Sequence, residues 1–105
     1  MHLTDLCYDL IEIPAKFGAI SVTGLAVDSR RVKAGDIFFA IAGNQYDGRD
    51  FIKNAIGAGA VAVVTGSSLI AQSLIAMAKC AKIPILQCEN PRQIMAQMAA
   101  RVWPS

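Results

Sequence analysis

Two hydrophobic rhythms alternate along most of the chain. Residues 37–41 (Ile-Phe-Phe-Ala-Ile), 60–64 (Ala-Val-Ala-Val-Val) and 83–88 (Ile-Pro-Ile-Leu-Gln-Cys) are short and almost wholly apolar. Runs of that length, apolar on both faces, predict strands covered by helices on either side. Between and after them the apolar residues return every three or four positions, which predicts helices. One runs from about residue 48 with Phe51, Ile52, Ala55 and Ile56 as its buried stripe, stopped by Gly57 and Gly59. The next begins at Ser67 or Ser68 with Ile70, Leu74, Met77 and Ala81 inward. The last opens at Asn90-Pro91-Arg92-Gln93, where Asn90 caps, Pro91 takes the first helical position and Gln93 completes a capping box. Ile94, Met98 and Val102, with Met95 and Ala99 beside them, form its inward face.

The first third is less regular. Thr4 to Ile11 reads as a short helix capped by Thr4, ended by Pro14 and Gly18. Residues 24–28 read as a strand with Leu25 and Val27 on one face and Ala26 on the other. Lys33-Ala34-Gly35-Asp36 reads as a tight turn in which Gly35 takes positive φ. Strand-helix alternation over residues 37–103 gives an α/β class with a mixed, partly parallel sheet flanked by helices. Pro84 at the start of the last run suits a first or edge position.

A chain of 105 residues is one domain, able to bury a core but short for a multi-substrate enzyme. The formal net charge of +2 is too small to argue for nucleic acid, and no basic cluster exceeds Arg30-Arg31-Val32-Lys33. No apolar run approaches the ~20 residues that span a bilayer. The start carries Asp5 and Asp9 and lacks a basic leader, so the expected location is cytoplasmic. Three cysteines (Cys7, Cys80, Cys88) without metal-site spacing, and His2 as the single histidine, argue against structural zinc and for reduced thiols. The ending Trp103-Pro104-Ser105 reads as a connection into further chain.

Polar chemistry concentrates in residues 27–49, where two loops, 28–36 and 42–49, flank the strand at 37–41. Loop clusters of this kind at a sheet end are common ligand sites. No catalytic set accompanies them: His2 has no cysteine partner, Ser29 has no base in its motif, and no phosphate loop ending in Gly-Lys-Thr or Gly-Lys-Ser occurs. Gly57-Ala58-Gly59-Ala60 precedes a strand instead of following one and is a helix stop, not a dinucleotide loop. Asp28, Asp36 and Asp47 stand beside Arg30, Lys33 and Arg49, which favours carboxylates tying loops to amides and cations over a metal site. Asn44 and Gln45 suit the edge of a planar base or amide, and Tyr46 serves equally as a stacking ring or a core-edge aromatic. From chemistry alone the expectation is a binding domain for something polar and planar, with no catalytic and no metal-binding residues.

Asp28-Ser29-Arg30-x-Val32-x-x-Gly35-Asp36-Ile37-Phe38-Phe39-Ala40, then Gly43, Asp47-Gly48-Arg49-x-Phe51-Ile52 and Ala55-x-x-x-Gly59-Ala60, resemble the N-terminal domain of the Mur ligases. These are ATP-dependent ligases of the peptidoglycan stem peptide, and the likeness covers about residues 22–103. Asp47-Gly48-Arg49 is most similar to the ligases that add the third amino acid, 2,6-diaminopimelate or L-lysine, to UDP-N-acetylmuramoyl-L-alanyl-D-glutamate. The D-alanyl-D-alanine-adding ligase, which more often has histidine after Asp-Gly, is the nearest alternative, and a non-catalytic α/β interaction module is another. The resemblance implies that the single domain 1–105 grips the UDP end of the substrate. Central and C-terminal domains, absent here, would hold ATP, Mg2+ and the incoming amino acid. It places Val27 and Ser29 against the uridine diphosphate and Asn44, Gln45 and Tyr46 in the loop that wraps it. Asp28, Arg30, Gly35, Asp36, Gly43, Asp47, Gly48 and Arg49 would support that site. The family often has His-Gln-Ala where this chain has Asn-Gln-Tyr; Gln45 transfers directly, Asn44 through its backbone, and Tyr46 is a departure.

Overall fold

The computed structural model describes residues 1–41, 51–66 and 72–103. Four strands, β1 (Gly24–Ala26), β2 (Asp36–Ala40), β3 (Ala62–Thr65) and β4 (Ile85–Gln87), form one sheet in sequential order. All three ladders are parallel, and Leu25, Ile37, Ala62 are aligned across the first two. Antiparallel pairing among the described residues is the single bridge between His2 and Ser21. Four helices accompany the strands: α1 (Leu3–Cys7), α2 (Ile52–Gly57), α3 (described over Gln72–Ala81) and α4 (Pro91–Val102). The α/β class with flanking helices is as the sequence predicts.

Unbroken apolar runs are the consequence of a sheet covered on both sides. Ile37, Phe39, Ala62, Val64 and Leu86 face a core shared with Leu3 and Leu6 of α1 and Met98 of α4. Phe38, Ala40 and Val63 face the other way, toward Ile52 and Ala55 of α2, with Leu74 of α3 packed beside them. All five residues of β2 are buried, as befits a strand with a neighbour on each side. β4 is an edge strand, and Pro84 immediately before it contributes its carbonyl, accepting from the Val63 amide at 3.0 Å.

Where local chemistry decides, the elements fall as expected. The Asn90 side chain accepts from the Gln93 amide at 3.2 Å with Pro91 opening α4. Gly35 has φ 96° in the turn that starts β2, and its amide donates to the carbonyl of Gly59, itself at φ 107°, at 3.1 Å. The Asp36 amide donates to Lys33 O, and the Lys33 amide donates back to the Asp36 carboxylate, both at 3.0 Å.

Four expectations are corrected. The first helix covers Leu3–Cys7, not residues 4–11; Thr4 lies inside it, and His2 stands at the cap position without a side-chain bond. A 3-10 turn over Ala15–Phe17 occupies part of the expected irregular connection. β1 stops at Ala26, so Leu25 and Ala26 face opposite cores while Val27 lies beyond the strand, 52% exposed. On α3 the buried residue is Ala78, with Leu74 and Met77 half-buried, and Ala81 is exposed because the helix closes there. α2 begins at Ile52 with Phe51 at the cap position, not at about residue 48 behind Asp47. Asp47 itself, Ile70 and the start of α3 lie outside the described residues.

Candidate functional site

In a parallel sheet every strand leaves at the same edge, and ligand sites of open α/β sheets gather at those carboxyl ends. At that edge the described residues are Val27 to Arg31 after β1, Ile41 after β2, Thr65 and Gly66 at the end of β3, and residues 87–90 after β4. The rim is tied from below. The buried Thr65 hydroxyl donates to Ala40 O at 2.9 Å, and the Cys88 amide donates to Thr65 O at 3.0 Å. A Cβ placed on Gly66 would meet nothing within 4 Å among the described residues.

The turn after β1 is built around Asp28. Its Oδ1 accepts from the Arg30 amide at 2.9 Å, capping the 3-10 turn Ser29–Arg31, while its main-chain carbonyl accepts from the Arg31 amide. The guanidinium of Arg30 closes on the same carboxylate through both Oδ1 (3.1 Å) and Oδ2 (2.9 Å). Hydrogen bonding from the Arg30 side chain, then from its amide, holds Asp28 down at about 2. The pair is therefore ionised at any physiological pH and acts as a local brace. Between its members sits Ser29, half-buried, whose hydroxyl makes no hydrogen bond to the described residues. Exposed Val27 is its neighbour on the rim.

Of the residues predicted for the site, Val27, Asp28, Ser29 and Arg30 are brought together at this edge. Gly35 and Asp36 are not. They enter β2 at its opposite end, four residues or ~13 Å away along the strand. Their part is to shape the turn from which β2 starts. Asp36 sits so close to β1 that a Cβ at Gly24 would fall 2.8 Å from its Oδ1. Gly43, Asn44, Gln45, Tyr46, Asp47, Gly48 and Arg49 lie outside the described residues.

A profile described as "Mur ligase family, catalytic domain" matches residues 21–103. The chain belongs to the Mur ligase family. It is 42% identical over 105 residues, all of the chain, to a UDP-N-acetylmuramoyl-L-alanyl-D-glutamate--2,6-diaminopimelate ligase of Bradyrhizobium diazoefficiens, covering 20% of that protein. The ligase of the same name from Mesorhizobium japonicum is 40% identical over 98% of the chain, again 20% of that protein. Among solved structures, the MurF ligase of Thermotoga maritima in complex with ADP superposes with a TM-score of 0.55 at 24% identity, over 78% of this chain and 16% of that one, which shows the shared fold. The chain thus spans about a fifth of the length of the curated relatives it matches.

Proposed function

We propose that this domain binds the UDP portion of UDP-N-acetylmuramoyl-L-alanyl-D-glutamate within an ATP-dependent ligase that adds 2,6-diaminopimelate, the third residue of the peptidoglycan stem peptide. The observation that carries the reading is the 42% identity to a ligase of that name along the entire chain. Two features at the sheet edge support it. The Ser29 hydroxyl has no partner among the described residues and can donate to a phosphate or ribose oxygen, and the exposed face of Val27 can lie against a base. The Asp28–Arg30 brace holds both in place before the ligand arrives, which lowers the ordering cost of binding. Asn44, Gln45 and Tyr46 complete the grip in this reading.

Among the described residues, none gather in a way that fits ATP or Mg2+. No three metal-ligating side chains gather among the described residues, and the sequence has no Gly-Lys-Thr or Gly-Lys-Ser phosphate loop. Both belong, in this proposal, to the remaining four-fifths of the ligase, as do the groups that choose the amino acid, so no chemical step is assigned to this chain. Its contribution is positional: holding the nucleotide orients the peptide end, and binding energy spent far from the reacting atoms supports the reaction there.

Ser29→Ala in the ligase tests the assignment. A hydrogen bond to a ribose oxygen is worth about 0.5–1.5 kcal/mol and one to a charged phosphate about 1.5–3 kcal/mol, so the affinity for the UDP substrate should fall at least about twofold. The melting temperature should stay unchanged, because no hydrogen bond to the described residues is lost. Full affinity, or a lowered melting temperature alone, would make Ser29 a turn residue.

A further inference from the structure

A cleft of about 560 Å³ opens at the opposite edge of the sheet. Lys16, Phe17 and Ile20 line it from the 3-10 turn near the start of the chain, and Lys79, Lys82 and Ile83 from the end of α3 and the lead into β4. Lys82 and Ile83 precede β4, so the cleft lies at the amino end of the parallel strands, away from Val27 and Ser29.

Lys16, Lys79 and Lys82 line the cleft together with apolar Phe17, Ile20 and Ile83, and no acidic residue is among the described residues that line it. None of the three is ion-paired among the described residues. The chain's formal net charge is +2, so the cleft alone carries more positive charge than the whole chain. Lys16 also stands 5.1 Å from the centroid of the Phe17 ring, which keeps ammonium and ring together on the same wall.

The end of α3 shows a second sign of constraint. Lys82 has φ 60°, with its amide on Lys79 O and the Ile83 amide on Ala78 O, each at 3.1 Å. These are the two bonds of a Schellman close, whose left-handed position is usually glycine because a side chain is strained there. Keeping a lysine at that position places a third charge on the cleft. Cations near a helix C-terminus complement its carbonyl ends without any ligand. That accounts for Lys79 and Lys82, but not for Lys16, which reaches the same cleft from a separate part of the chain.

We infer that this cleft binds a small organic anion with an apolar body, a carboxylate or phosphate carried on an aromatic or acyl group. The charged head meets Lys16, Lys79 and Lys82, and the body covers Phe17, Ile20 and Ile83. The site is independent of the UDP-binding reading.

The test is a 1H–15N titration of the 105-residue chain with phenyl phosphate, with inorganic phosphate and benzyl alcohol as separate comparisons. Phenyl phosphate should shift amides of residues 16–20 and 79–83, more strongly at low salt, and should bind more tightly than either comparison. Lys16→Gln and Lys79→Gln should each weaken it about two- to fivefold, the worth of an exposed ionic contact. Lys82→Gly separates site from scaffold: affinity falls while the melting temperature rises, because the charge goes and the backbone strain is relieved. Absence of shifts with phenyl phosphate would overturn the proposal. So would equal binding of inorganic phosphate, or a Lys82→Gly chain that is more stable and binds unchanged.

Discussion

Arg101 in α4 ends a helix that lies at the other end of the chain, and replacing it with methionine measures how much that is worth. Its Nη1 donates toward the carbonyls of Asp5 (3.3 Å), Leu6 (3.1 Å) and Tyr8 (2.8 Å), and its Nη2 to Asp9 Oδ1 (2.8 Å). These carbonyls are what the short α1 leaves unsatisfied, and its own sequence offers no basic residue in the last turn. Nη1 carries two hydrogens, so its three contacts amount to two good bonds, and the 3.3 Å contact adds little. Bonds from a charged donor are worth about 1.5–3 kcal/mol each when buried. Most of this group of carbonyls can return to water when Arg101 is removed, since Asp5 and Tyr8 are exposed and only Leu6 is fully buried. The Asp9 pair, with side chains 31% and 62% exposed, belongs with surface salt bridges worth at most about 1 kcal/mol. Methionine keeps the packing of the side-chain stem, so Arg101→Met should cost about 2 kcal/mol, or about 10 °C in melting temperature for a chain of this size. Asp9→Asn, which removes only the ion pair, should cost under about 1 kcal/mol. Urea denaturation followed by circular dichroism reads both. An Arg101→Met chain within about 0.5 kcal/mol of the original would refute the clamp, and so would an equal loss in Asp9→Asn, which would assign the energy to the surface pair.

Three further outcomes follow from the same geometry. Gly59→Ala puts a Cβ 2.8 Å from Ala34 Cα at φ 107° and should destabilise by about 3 kcal/mol in urea melts, whereas a loss under about 1 kcal/mol would mean the turn yields. Asp28 titrates at about 2 against an ordinary 3.8, so its contribution to stability is present above about pH 4 and lost as pH falls toward 2; carboxyl 13C shifts should show that midpoint, and Arg30→Gln should return it toward 3.8. Burial pushes the Cys7 thiol from 9.0 to about 11, partly opposed by Arg101, so its contribution is complete below about pH 9 and is lost as pH rises toward 11. At pH 8 exposed Cys80 should react with a disulfide reagent well before Cys7, and equal rates would contradict the buried placement.

Elements whose causes are local were legible in the sequence. Asn90-Pro91 marks the start of α4 to the residue because cap and first-turn geometry depend on neighbours alone. The all-apolar run at 37–41 marks β2 to within one residue because a strand buried on both faces leaves nothing polar to mislead. The first helix departs from its sequence pattern because its limits are set from a distance. Its amino end is tied by the His2–Ser21 bridge and its carboxyl end by Arg101, and neither is visible in residues 1–11. The apolar stripe of α3 ends one turn before its sequence spacing does, since nothing about Lys82 announces a left-handed close without glycine. At the site, Asp28 and Arg30 were legible as a brace because they stand two residues apart. Gly35 and Asp36 share the motif with Ser29, but a strand direction separates them from it, and motif spacing carries no information about sheet edge.

The central claim is that the sheet edge at Val27–Arg30 and the loop after β2 hold a uridine diphosphate. The most direct measurement is a 1H–15N titration of this chain with UDP-N-acetylmuramoyl-L-alanyl-D-glutamate, repeated with UDP and with ATP, and then on the full-length ligase. Shifts confined to residues 27–30 and 43–49 with both UDP ligands, and none with ATP, are the predicted result. Shifts with ATP at those residues, or none with any UDP ligand in either protein, would contradict it.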